Sequence, residues 1–223
     1  MFVICPMSNC ASAQKRDRFL EYLSKIAPAT LESEPECQAY AWFRSAEDND
    51  QVPHHWLQGF EIYETPEANT VTHRSSTPYK TFRAAVGEEG LLERPSDLRY
   101  WKPTDIGFVI RPGIEGQMKV PPVGEGRYLI VNELGPNVGS KGQVMARMRK
   151  LATLAGDSKS VVSFLVLDRG EGDADESVYV FSLFEDKANA KEWENAGSGI
   201  WSDLMQFVSR GDGLPGVSAV SGL

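Results

Sequence analysis

The first hundred residues alternate between strand-like and helix-like spacing of apolar side chains. Residues 2–6 form a short apolar stretch that reads as a strand. A polar turn over 8–12 follows. Phe19, Leu20, Leu23 and Ile26 then recur at helical spacing across about 13–29, with Arg16, Asp17, Glu21 and Lys25 on the opposite side. Ser12 is placed to cap that helix, and Pro28 and Pro35 bracket its exit. Residues 37–44 alternate as a half-buried strand, with Tyr40 and Trp42 on one face and Phe43 on the other. A polar loop spans 45–53, and Trp56–Tyr63 is a third strand. Thr65 and Pro66 open a second helix, which breaks near 75–78 and resumes at Tyr79. Residues 98–102 fit a fourth strand. The order β-α-β-β-α-β predicts an α+β unit of ferredoxin-like type, an antiparallel sheet with both helices on one face.

The second half repeats the order. Residues 127–133 read as a strand. Val144, Met148, Leu151 and Leu154 mark a helix over about 140–155. Strands follow at 161–167 and 178–184, separated by the acidic, Gly-rich loop 168–177. Helices are predicted at 186–194 and 201–208, and 217–220 is placed to close the sheet. Ile62-Tyr63-Glu64 precedes Ala68-Asn69 much as Leu183-Phe184-Glu185 precedes Ala188-Asn189, which supports a duplication. The joining stretch holds Pro103, Pro112, Pro121, Pro122 and four glycines, with 107–110 as a candidate extra strand. The domain reading is therefore a repeat at 1–104, a Pro/Gly-rich linker at 105–126 and a degenerate repeat at 127–223. One such unit leaves a sheet face bare. The expectation is that the two units stack sheet to sheet within the chain, which removes that apolar surface from water.

Composition narrows the function. The 223 residues carry 23 Lys+Arg against 31 Asp+Glu, a net charge of -8 without a basic cluster, so nucleic acid is a poor partner. No apolar run reaches the roughly 18–20 residues that span a bilayer, and no membrane association is expected. Cys5, Cys10 and Cys37 lack metal-type spacing and read as reduced thiols of a cytoplasmic protein. With only His54, His55 and His73, no metal motif is present.

Two segments carry a family resemblance. Residues 33–40, Ser-Glu-Pro-Glu-Cys-Gln-Ala-Tyr, resemble the E-P-G-C-x-x-Y turn and strand of the antibiotic biosynthesis monooxygenase (ABM) family, with Glu36 in place of the usual Gly. Glu61-Ile62-Tyr63-Glu64, then Ala68, then residues 73–79 (His-Arg-Ser-Ser-Thr-Pro-Tyr), resemble that family's E-x-Y-x…A-x-x-x-H-x-x-S-P-x-Y/F segment. The second half resembles it in outline. Trp193 stands where the helix His would be, and 197–199 (Gly-Ser-Gly) replaces the Ser-Pro turn. The resemblance implies a dimeric α+β barrel closed within one chain. It also implies cofactor-free oxygenation of an aromatic polyketide-like substrate by O2, in secondary metabolism. Relatives that degrade haem combine an Asn, a Trp and a helix His, an outline that Asn9 and His73 fit and that Trp42 and Trp56, on strands, do not.

The candidate chemistry gathers on the first half. His73 is the candidate base, since imidazole titrates near neutrality and can take a proton from a phenol or an enolisable carbon. The resulting anion reduces O2 itself. Asn9, at the end of the first strand, is a candidate oxyanion or O2 holder, against the default reading of a turn residue; Asn132 is its counterpart, with the same default. Trp56 joins them as a third catalytic candidate. Trp42, Phe60, Tyr63, Tyr79 and Phe82 are candidates to cradle a flat aromatic ligand, or plain core. Arg74 and Arg83 suit a carboxylate or phenolate, or a solvated helix face. A redox-neutral cyclase, isomerase or dehydratase, and a non-catalytic or stress-responsive ligand-binding barrel, remain the alternatives. No cofactor is expected, and association into a homodimer stays open.

Overall fold

The computed structural model describes residues 1–46, 49, 52–96, 98, 100–109, 127–169 and 176–208, and the backbone of 218–222. Most of the expected linker, most of the acidic loop, parts of the loop at 45–53, and positions 110 and 217 of the two candidate strands lie outside the described residues. The chain forms two compact units that meet in sequence at Tyr100 and Trp101.

In the first unit, β1 (Phe2–Ile4) and β2 (Met7–Asn9) lie along one side of β4 (Trp56–Tyr63), and β3 (Cys37–Ser45) along the other, all antiparallel. The register is set by Val3↔Ile62, Ser8↔Leu57 and Ala41↔Phe60. The strand expected at 2–6 is thus two short ones. Pro6 has no N–H to give the ladder, and its carbonyl instead accepts Gly59 N–H at 2.8 Å and Gln58 Nε2 at 3.1 Å.

The first helix, α1 (Ala13–Ser33), starts where expected, with Ser12 Oγ accepting Lys15 N–H. It runs through Pro28, contrary to expectation. Proline's fixed φ suits a helix, and this ring is exposed, so the carbonyl it leaves unbonded stays in reach of water. Burial of Ile26 and Thr30 and a closing bond from Glu34 N–H to Thr30 O carry the helix past it. After β4, Thr65 Oγ1 caps a helical segment whose residues Ala68–His73 are π-helical. Ser76 breaks the helix with extended ψ and caps α2 (Thr77–Glu88). Phe19, Leu23 and Ile26 of α1, Phe82 and Ala85 of α2 and the sheet residues Ile4, Leu57 and Tyr63 form this unit's core.

In the second unit the order is β5 (Tyr100–Phe108), β7 (Val161–Asp168), β8 (Val178–Phe184), β6 (Tyr128–Leu134), β9 (Ser218–Gly222), each pair antiparallel. The two strands expected at 98–102 and 107–110 are one strand, and it pairs with β7. Gly107 permits this: its φ is +98°, and a Cβ there would lie 2.1 Å from Phe164 O. Helices α3 (Lys141–Asp157) and α4 (Lys187–Met205) bury Val144, Met148, Leu151, Ala190, Trp193 and Leu204 against the sheet. The two helices expected at 186–194 and 201–208 are one. Residues 197–199 do not break α4, because buried Gly197 lets it approach α3: a Cβ there would meet Leu151 Cδ2 at 3.2 Å. That contact outweighs the weak helix propensity of glycine, about 1 kcal/mol. Both units are α+β and ferredoxin-like. Among the described residues, no helix is long and apolar enough to cross a membrane.

Candidate functional site

Strand alternation decides which side chains can meet under the first unit's helices. On β4, Leu57 and Tyr63 belong to the helix-side core and Glu61 lines a cavity beside it. By the same parity Trp56 and Phe60 point to the opposite face. Gly59 shares the inner parity, and its missing side chain makes room: a Cβ would lie 2.6 Å from Pro6 Cγ and 3.0 Å from Trp42 Cζ2. The cavity measures about 50 Å3, space for a few water molecules. Tyr40, Trp42, Phe19, Tyr79 and Phe82 form its aromatic wall, and Glu61, Asn69, Arg74 and Arg83 its polar side. Arg83 and Leu98, both exposed, stand at its mouth.

His73 is fixed by a buried carboxylate. Its Nδ1 lies 2.9 Å from Glu34 Oε2 and 3.2 Å from Oε1, with Thr30 Oγ1 at 3.4 Å. Facing two carboxylate oxygens, Nδ1 carries the hydrogen and donates it, which leaves Nε2 as the nitrogen that can exchange a proton. The Tyr40, Tyr63 and Tyr79 rings surround the imidazole at 5.5, 5.7 and 5.0 Å. His73 is 1% exposed and does not line the cavity. Tyr40 and Tyr79 do, so the imidazole lies one layer behind the wall.

Glu61 is the buried carboxylate in the wall itself. It accepts the Tyr63 hydroxyl at 2.9 Å. Burial pushes its carboxyl above the usual range, against the pull of His73, the Tyr63 bond and Arg74; Glu34 adds to the rise. Burial, with Glu61's charge nearby, also raises the Tyr40 and Tyr63 phenols. Tyr79 is raised by burial and held back by Arg74 and Arg83. Arg74 is itself oriented by Asn69, whose Oδ1 accepts its Nε at 3.1 Å, and by the Tyr100 hydroxyl at 3.5 Å. The indole N–H of Trp42 is buried beside the Tyr40 phenol but does not reach hydrogen-bond geometry.

The other candidates fall elsewhere. Asn9 Oδ1 accepts Arg94 Nε at 3.0 Å, and the Arg94 guanidinium lies 5.6 Å over the Trp56 ring. Asn9 pairs with Trp56 across the ladder, and neither lines the cavity. The neighbouring Ser8 does line it, sharing a 2.8 Å hydrogen bond with Ser96. Phe60 is fully buried outside the cavity. Tyr63 acts on the cavity through Glu61, whereas Trp42, Tyr79 and Phe82 line it directly. His55 lies 3.7 Å from Glu93. In the second unit Asn132 is buried on β6, and Trp193 packs between Phe164 and Phe184 at 5.7 and 6.4 Å. Sequence reasoning passed over Glu34, Glu61 and Asn69. For Glu61 a signal existed: a lone acid at core parity in an otherwise apolar strand must have a partner.

Residues 7–85, which contain Glu34, Glu61 and His73, match the family model for antibiotic biosynthesis monooxygenase. That match lies within the first unit. No curated protein matches the sequence significantly. Solved structures similar to the chain extend over both units. A protein proposed to be a monooxygenase from Fusobacterium nucleatum superposes with a TM-score of 0.72 at 10% identity, covering 99% of this chain and 90% of that one. Another from Lactobacillus acidophilus gives 0.72 at 8% identity, covering 100% and 94%. An anthrone oxidase-like protein gives 0.62 at 12% identity, covering 100% and 91%. At these identities the likeness is one of fold: ferredoxin-like α+β units in tandem.

Proposed function

We propose that the first unit is a cofactor-independent monooxygenase for a small electron-rich aromatic such as a phenol, quinol or anthrone, with a role in secondary metabolism. One observation carries this reading: an aromatic-walled cavity holds a buried carboxylate, with the His73–Glu34 pair directly behind its wall. Proton removal is the one step such a reaction asks of the protein. The ligand's O–H or C–H bond breaks, the proton goes to a protein base, and the electron pair stays on the ring. The carbanion passes an electron to O2, and the radical pair combines to a peroxide. Loss of water then turns a CH2 into C=O. In sum CH2 + O2 gives C=O + H2O, with the ring carbon oxidised and O2 reduced. Arg74 and Arg83 stabilise the ligand anion by their charge. At about 50 Å3 the cavity is smaller than ligand pockets of about 300 Å3 or more, so a ligand has to displace side chains at its mouth, and the smallest ring is favoured.

The test is O2 uptake by the purified full chain with a hydroquinone and with anthrone, with isotopic O2 as a tracer. Label in the product, and a rate lost about 100-fold in His73→Ala, support the reading. Turnover with neither O2 uptake nor label in the product would transfer the site to redox-neutral chemistry. Absence of turnover and of ligand binding would leave a non-catalytic domain.

A further inference from the structure

We infer that Glu61, rather than His73, is the residue that meets the ligand and receives its proton. The inference rests on the oxygenase reading for its biological sense but not for its test. Glu61 lines the cavity and His73 does not. Of Glu34, Glu61 and His73, Glu61 alone lines the cavity, together with Arg74 and Asn69. Its carboxylate is oriented by the Tyr63 hydroxyl at 2.9 Å, which occupies one oxygen and leaves lone pairs on the other for a ligand O–H or C–H.

The step is a proton transfer. The ligand's O–H bond breaks, the proton bonds to a Glu61 oxygen, and the electron pair remains on the ligand as a phenolate facing Arg74 and Arg83. No oxidant takes part. The charged and titratable groups around Glu61 are His73 and Arg74 from the helical segment after β4, Tyr63 on its own strand, Tyr40 on β3, Tyr79 on α2 and Glu34 after α1. Cations and the Tyr63 bond favour the carboxylate; burial and Glu34 oppose it. That balance raises its proton affinity, which suits a base. His73 then acts as a positioning residue, held behind the wall by Glu34.

The experiment uses the full chain under argon with 4-nitrophenol, a single-ring phenol whose phenolate absorbs in the visible. Titration runs below the pH at which the free phenol ionises, with binding followed separately by calorimetry. Wild type is expected to bind it as the phenolate. Glu61→Gln, which can still accept the Tyr63 hydrogen bond, is expected to bind it as the neutral phenol, with the visible band reduced at least about 10-fold. Glu61→Asp is expected to keep the band and shift its pH midpoint. An unchanged band in Glu61→Gln, an unmoved midpoint in Glu61→Asp, or no band with wild type each overturns the inference. The Asp variant decides it even if the Gln variant does not fold. O2 uptake together with a band indifferent to Glu61 would sink only this assignment. A Glu61-dependent band without O2 uptake would sink only the oxygenase reading.

Discussion

Glu34 Oε2 and His73 Nδ1 stand 2.9 Å apart, with the side chains 5% and 2% exposed. The carboxylate comes from the residue that ends α1 and the imidazole from the π-helical turn after β4, so the contact joins two segments 39 residues apart. Removing one member strands the other in a low-dielectric setting. Glu34→Ala is expected to destabilise the first unit by about 3–5 kcal/mol in chemical denaturation. Glu34→Gln, which can still accept from Nδ1, is expected to cost less. Equal losses in the two variants would show that the carboxylate's charge, and not the hydrogen bond alone, carries the contact.

Gly59 makes a second, steric prediction. Both neighbours of its absent Cβ, Pro6 at 2.6 Å and Trp42 at 3.0 Å, are rigid rings. Gly59→Ala is expected to cost about 1–3 kcal/mol as an overpacked site. It is also expected to shift Trp42 within the cavity wall, read as a change in tryptophan emission and weaker binding of a single-ring phenol.

The glycines of α4 predict opposite signs. Gly199 is exposed with nothing within 4 Å of a Cβ, so Gly199→Ala is expected to raise stability by about 0.5–1 kcal/mol. Gly197 faces Leu151 at 3.2 Å, so the bulkier Gly197→Leu is expected to lower it by about 1–3 kcal/mol. Thermal unfolding of the two variants checks both. A stabilised Gly197→Leu would mean that α3 and α4 do not pack as described.

Acid stability has a defined source in Glu89. Its carboxylate accepts from Arg18 Nε at 2.9 Å and from the Tyr22 hydroxyl at 2.7 Å, joining the end of α2 to α1. These bonds lower its pKa from 4.5 to about 2. A depressed folded pKa stabilises above the unfolded value and loses that contribution as pH falls toward 2. Glu89→Gln is therefore expected to flatten the fall in stability between about pH 4.5 and 2. Glu61, raised by burial, has the opposite sign: its contribution is present at low pH and is lost as pH rises above the ordinary carboxylate value. Glu61→Gln should remove that decline.

The fold was legible because apolar spacing reports which residues share a face. Trp56 and Phe60 share parity, as do Tyr40 and Trp42. Alternation does not say which of two faces meets the helices, and here the first pair turns away while the second lines the cavity. The continuity of α4 was hidden because glycine in a sequence signals a turn as readily as a close helix contact. Glu34 and His73 were both visible as residues, but their pairing depends on where α1 ends, and Pro28 suggested an end too early. Thr30, Glu34 and His73 meet only because the helix runs past that proline.

The π-helical turn at Ala68–His73 has one more consequence. It holds an extra residue within a helical circuit, and Thr70 sits in it on the exposed side. Each α-helical residue advances by about 100°. Dropping one exposed residue there would let the segment relax to ordinary winding and swing Asn69 and His73 out of step. The aim of the imidazole is thus written in the length of the chain as much as in its letters, and a one-codon deletion on the surface would disarm the interior.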